Sequence, residues 1–258
     1  MSPSKETSTI TKTNLADCLK ELAREYRKLA GKAVPAEVIL IGGAAVLMEY
    51  EFRELTYDVD AIIVAGSAMK DAIARVSDKH NLPSSWLNTD FTRTSSFSNK
   101  LHEVSVYYKT FSNVLTIRVI TGEYLLAMKL MSGRRYKNDL SDIVGILWEH
   151  QKKDIPITKA SVEQAIELLY GKNAVIPDTS AQLLDSLFEL KDYEPLYRQI
   201  RDSEIAAKEL LMEFGDEYPN FLKGENVDTI LDSLKRKHET GDKESLLGKL
   251  EEKRRLTN

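Results

Sequence analysis

The chain has 258 residues, 42% of them hydrophobic, and a formal net charge of −4. That is enough apolar material for one large domain or two small ones. The acidic balance argues against broad, nonspecific nucleic-acid binding and leaves room only for a local basic patch, and the single cysteine, Cys18, excludes an internal disulfide and fits a reducing compartment.

Residues 1–13 are polar and rich in Ser and Thr. They read as a disordered leader without the apolar core of a signal peptide. The longest apolar run, 38–48, holds two glycines and is too short to span a bilayer. A cytoplasmic protein with no membrane segment is expected.

Helical periodicity covers 14–32, where Leu15, Cys18, Leu19, Leu22, Tyr26 and Leu29 share one stripe. Pro35 ends it. A buried strand is expected at 37–41, a helix at 43–50, a second strand at 58–64, and a helix at 67–80 with Ser67 as its cap. Residues 81–100, with Pro83, Trp86 and many Ser, Thr and Asn, read as loop. Strands at 102–108 and 114–119 flank a turn around 111–113. Every later segment reads as helix: 121–132, 138–151, 158–170, 179–191, 193–214, 225–237 and 242–254. The organisation is therefore α+β, a core at 14–120 followed by an all-helical region at 121–258.

Chemistry concentrates at Gly42-Gly43 and at Asp58-Val59-Asp60. The first pair ends an apolar strand and opens a small-residue helix. The second opens the next strand. Alternation puts Asp58 and Asp60 on one face, about 7 Å apart, where two like charges repel unless a cation lies between them. Glycine lets the backbone approach a bulky anion, and helix-start amides hold phosphate. A metal and a nucleoside triphosphate suit these parts.

Further along, Lys129 lies among the apolar residues of the first later helix, Arg134, Arg135 and Lys137 form a basic turn, and Asp139 and Asp142 share a face of the next helix. Lys129 either snorkels or reaches the triphosphate. The two aspartates either orient Lys129 or Arg134, or reflect the preference of helix starts for acids. The four histidines have no metal-ligand spacing.

Gly-Gly, then Thr-x-Asp-x-Asp, then Lys, Arg and Asp-x-x-Asp resembles the minimal nucleotidyltransferases of the DNA polymerase β superfamily. It is similar, more narrowly, to stand-alone members related to AbiEii-type toxins of toxin–antitoxin and phage-defence systems. The segment 82–88 is also similar to one subgroup. The resemblance covers residues 36–150. It implies a polymerase β-like core with a mixed sheet and transfer of a nucleoside monophosphate from a triphosphate to a hydroxyl on RNA (tRNA) or protein. Two Mg²⁺ ions would be held by Asp58, Asp60 and a third strand carboxylate. Gly42 and Gly43 would bind the phosphates, and Lys129 would steady the triphosphate, with Arg134, Asp139 and Asp142 around it. A cognate antitoxin is an implied partner.

The third carboxylate departs from the pattern. Glu103 is the only acid on the expected strand, and Asp90 is a weaker candidate in the loop. Two further readings stay open. One is a nucleotide-binding sensor or antitoxin-like protein without catalysis. The other is an antibiotic nucleotidyltransferase, whose cationic substrates would suit an acidic protein.

Overall fold

The computed structural model describes residues 9–132, 139–223 and 226–240. It opens with β1 (Ile10–Thr11) and α1 (Lys12–Ala30). Thr11 and Asn14 cap α1 reciprocally: the Thr11 amide donates to Asn14 Oδ1 at 2.7 Å, and the Asn14 amide donates to Thr11 Oγ1 at 3.4 Å. β1 pairs antiparallel with β3 (Leu55–Thr56). Regular structure thus starts ahead of residue 14, within the expected leader.

The architecture is α+β around a mixed five-stranded sheet. Its strands are β2 (Ala36–Leu40), β4 (Val59–Val64), β5 (Leu87–Asn88), β6 (Ser105–Phe111) and β7 (Leu115–Ile120), in the order β5-β4-β2-β7-β6. β2 runs antiparallel to β4 and parallel to β7. The outer pairs are β4 with β5, parallel, and β6 with β7, antiparallel.

Register separates two faces. Val38, Leu40, Val59, Ala61, Ile117 and Val119 point one way and are buried. Asp60, Ile62, Glu37, Thr116 and Arg118 point the other way and are half-exposed. The sheet therefore has a mainly apolar face and a mixed, partly open one that also carries the fully buried Ile39, and Asp60 is on the partly open side.

Two helices between strands complete this part, α2 (Gly42–Glu49) and α3 (Ala68–His80). α1 packs along α3. It is tied to the sheet ends by the Gly66 amide, which donates to Tyr26 Oη at 3.1 Å, and by Arg27 Nη1, which donates to the Ser112 carbonyl at 3.0 Å.

One expected strand is corrected. Residues 101–104 form a short helix, α4 (Leu101–Val104), and β6 starts only at Ser105. The Ser105 hydroxyl donates to the His102 carbonyl at 2.7 Å and closes the turn. Upstream, Ser98 Oγ donates to the Leu169 carbonyl and Tyr170 Oη to the Ser96 carbonyl. These long-range bonds hold the segment before β6, and four residues are too few for periodicity to distinguish helix from strand.

The later helices fall within a few residues of expectation: α5 (Gly122–Ser132), α6 (Asp139–Lys152), α7 (Lys159–Tyr170), α8 (Asp178–Phe188), α9 (Glu194–Glu217) and α10 (Val227–Thr240). The expected helix at 242–254 lies outside the described residues. Packing divides the chain into two units, Met1–Gly133 with Asp142–Tyr193, and Arg134–Ser141 with Glu194–Asn258. α5 packs on α2, α7 and α8, so those helices group with the sheet instead of separating from it at residue 120. In the second unit Phe214 stacks near Tyr218 and Phe221 at centroid distances of 4.9 and 6.1 Å. Ile230 and Leu231 of α10 are buried there. Among the described residues no helix is long and apolar enough to cross a membrane.

Cys18 is buried in the α1 stripe. Burial, and then the charge of Asp17, push its thiol up to about 11, so the reactive thiolate is scarce at pH 8. A disulfide-exchange reagent is expected to leave the folded protein unlabelled at pH 8 and to label one thiol per chain in urea. Rapid labelling without denaturant would contradict this packing.

Candidate active site

The antiparallel ladder between β2 and β4 builds the site. It pairs Leu40 with Ala61 and continues one step further, where the Ile41 amide donates to the Asp60 carbonyl at 3.1 Å. On the other side the Val59 amide donates to the Trp86 carbonyl at 2.8 Å. Trp86 is itself buried, and its indole N–H donates to the Ile73 carbonyl at 3.3 Å. The backbone between the two aspartates is thus held from both sides. Asp60 is half-buried on the partly open face, and Asp58 is exposed just ahead of β4.

The chain leaves β2 beside Asp60 and turns at once into α2. Gly42 has φ +53, and a Cβ there would lie 3.7 Å from Asp60 Oδ2. That is ordinary contact, so it is the left-handed backbone, not space, that favours glycine. Gly43 is the reverse case. A Cβ on it would meet Arg53 Nη2 at 2.8 Å and Thr56 Oγ1 at 2.9 Å. The start of α2 has no side-chain cap and no acid in its first turn. Its orphan amides and positive dipole end suit an anionic ligand.

Arg53 is the residue that sequence reading missed. Its guanidinium passes under Gly43, donates through Nε to the Leu55 carbonyl at 3.1 Å, and pairs through Nη1 with Asp142 Oδ2. The same carboxylate oxygen takes Lys129 Nζ at 2.7 Å. The three side chains are 12%, 3% and 7% exposed. Lys129 is thus engaged by Asp142 within a buried ion cluster, and Arg53 extends to the glycine turn. The only local signal was an arginine three residues before Thr56.

The loop carrying Arg53 is clamped by α6. Buried Glu149 accepts from the backbone amides of Glu51 at 2.5 Å and Phe52 at 2.8 Å. A Cβ on Gly145 would lie 2.6 Å from the Phe52 ring. Glycine on α6 lets that ring seat against the helix.

Glu103 and Asp90 sit on other elements. Glu103 lies exposed on α4, next to the edge strand β6. Sheet order puts three strand spacings between β6 and β4, roughly 14 Å. The structure does not bring Glu103 to the aspartate pair. Asp90 is exposed on a 3-10 turn (Asp90–Arg93) just after β5. Asp139 is buried and belongs to the second unit. Arg134, with Arg135 and Lys137, lies outside the described residues.

Among the described residues no group of three or more His, Cys, Asp and Glu side chains has the geometry to hold a metal. An all-protein cage is therefore absent from them. The Asp60 carboxylate beside an uncapped helix start, with Asp58 two residues ahead of it, is a different donor set. Magnesium takes one or two carboxylates together with substrate phosphates and water, and Asp60 beside the α2 amides fits that arrangement.

A family model described as a nucleotidyltransferase of unknown function (DUF6036) matches residues 17–190. The chain belongs to this family. The match runs from within α1 to just past α8, so it takes in the sheet, the glycine turn, both aspartates, Arg53 and the Lys129–Asp142 pair. It ends shortly before α9 of the second unit. No curated protein matches the chain. In this member of the family the β2–α2 turn and the start of β4 are the candidate site, and the Arg53–Asp142–Lys129 cluster reaches the turn through Arg53.

Proposed function

We propose that the protein transfers a nucleoside monophosphate from a magnesium-bound nucleoside triphosphate to a hydroxyl on RNA, such as tRNA, or on a protein, in an effector role of the toxin or defence kind. The observation that carries this reading is the Asp60 carboxylate set against Gly42 at the uncapped start of α2. One surface then offers anionic ligands for a cation and free amides for phosphate. In the reaction the acceptor oxygen bonds to the α-phosphorus, the bond from that phosphorus to the bridging oxygen breaks, and pyrophosphate leaves. The acceptor's proton passes to solvent or to a carboxylate of the site.

Asp58 and Asp60 would hold the magnesium, which when bound supplies charge neutralisation on the phosphates and activation of the hydroxyl. The amides of α2 orient the triphosphate. Arg53, fixed by Asp142, keeps the turn in place and adds positive potential beneath it. In-line transfer depends mainly on positioning and electrostatics, so two carboxylates are a workable set. The separation of Glu103 from the pair favours a second reading, a nucleotide sensor without turnover.

One experiment separates them. The protein is incubated with each α-labelled triphosphate, Mg²⁺, total tRNA and cell extract, alongside an Asp58→Ala/Asp60→Ala variant. Label is expected in macromolecules with the parent protein only. If no triphosphate gives transfer while calorimetry detects its binding, the sensor reading replaces the transferase.

A further inference from the structure

The C-terminal end of α1 and the β6–β7 turn enclose a shallow cleft of about 470 Å³. It is lined by Arg24, Arg27, Lys28, Gly31, Lys32 and Ser112, which are four cations and no carboxylate. This is a concentrated positive surface on a chain whose net charge is −4.

The cations are held in place. Glu21 and Glu25 lie nearly buried in the seam between α1 and α3. Glu21 pairs with Arg24 and with Lys79, and Glu25 with Lys28 and with Arg75. Each carboxylate thus serves two cations, so each group keeps a positive excess, and the hydrogen bonds from Lys79 and Lys28 hold these carboxyls below their ordinary range. The cations stay outward: the side chains of Arg24 and Lys28 are 55% and 63% exposed. They stand one helical turn apart, about 6 Å along the axis. Gly31 ends the helix with φ +86, and nothing lies within 4 Å of where its Cβ would be, so the floor between Lys28 and Lys32 is open.

The cleft is remote from the aspartate pair. Ser112 lies in the β6–β7 turn, whereas the strand ends at Ser105 and Ile120 lie toward Ile41 and Asp60. A strand of this sheet separates the two ends by about 20 Å, beyond the reach of one bound triphosphate. Exposed, solvated cations in an open cleft suit a long polyanion, whose affinity comes from released counterions, better than a small anion, which needs enclosing donors.

We propose that this α1 cleft binds the phosphate backbone of a polynucleotide. The proposal concerns binding alone and stands independently of the transferase reading. The test uses fluorescence anisotropy of a short labelled RNA, and of DNA of the same sequence, over a salt series. The parent is compared with Arg24→Gln/Lys28→Gln/Lys32→Gln and with a control, Lys172→Gln, which removes an exposed cation elsewhere. Arg27 is left in place because it ties the turn.

Parent affinity is expected to fall steeply with salt. The triple variant should bind at least about tenfold more weakly, with a salt slope reduced by roughly 2 for single strands. The control should match the parent, and circular dichroism should show all three folded. Equal binding of RNA and DNA identifies the backbone as what is read, and preference for RNA adds its 2′-hydroxyl. The proposal is overturned by absent binding at low salt, by a triple variant that binds like the parent, or by polyglutamate competing as well as nucleic acid. The last result would point to an acidic protein partner. The same titration on Asp60→Asn, a variant expected to transfer about 10²- to 10³-fold more slowly, should give parent affinity.

Discussion

Asp60→Asn is expected to lower nucleotidyl transfer by about 10²- to 10³-fold, the scale seen when one preorganised electrostatic group is removed. Asparagine keeps the shape beside Gly42, where the carboxylate would stand at ordinary contact distance from an added Cβ. The backbone bond between Ile41 and Asp60 is untouched. The substitution removes the negative charge that a triphosphate-bound cation requires. The readout is twofold: label transfer, and the rise in melting temperature that the parent shows on adding magnesium with triphosphate. Both should vanish together in the variant. An Asp60→Asn protein that transfers as fast as the parent would remove Asp60 from the site, and with it the proposed reaction centre.

Asp142→Asn carries the largest expected cost in stability. Asp142 is almost wholly buried and answers two cations, Lys129 and Arg53, through one oxygen. Removing one member of a buried ion cluster leaves uncompensated charge, at about 3–5 kcal/mol. For a chain of this size that is a fall of roughly 10 °C in melting temperature. Lys129→Met in the same background should recover part of the loss, because one stranded charge goes with it. Denaturant unfolding of the two single variants and the double variant measures this directly. Additive losses would mean that the pair does not interact. Activity should also fall in Asp142→Asn, since the guanidinium that passes under Gly43 loses its anchor.

Much of this molecule was legible along the chain. The α1 stripe, the order of strands and helices, and the bounds of most later helices follow from periodicity and from Gly and Pro punctuation, which act over a few residues. Gly42-Gly43 and Asp58-x-Asp60 were legible for the same reason: a strand, a turn and a strand start are local, and their meeting across β2 and β4 needs only one short antiparallel return. The Arg53 contact was not. Its carboxylate partner is 89 positions away, and the loop that holds it carries no period. Glu103 misled because Leu101 to Tyr107 reads like a strand, while the segment just ahead of α4 is held by residues near position 170.

The sequence by itself therefore determined most of the longer secondary elements and the residue types at the candidate site, since each depends on spacing between near neighbours. Only the tertiary structure decided the parallel seating of β7 beside β2, the engagement of Lys129 by Asp142, the support of the glycine turn by Arg53 and the distance of Glu103 from the aspartates. These depend on which distant segments come to lie side by side, and that is settled by packing of the whole core.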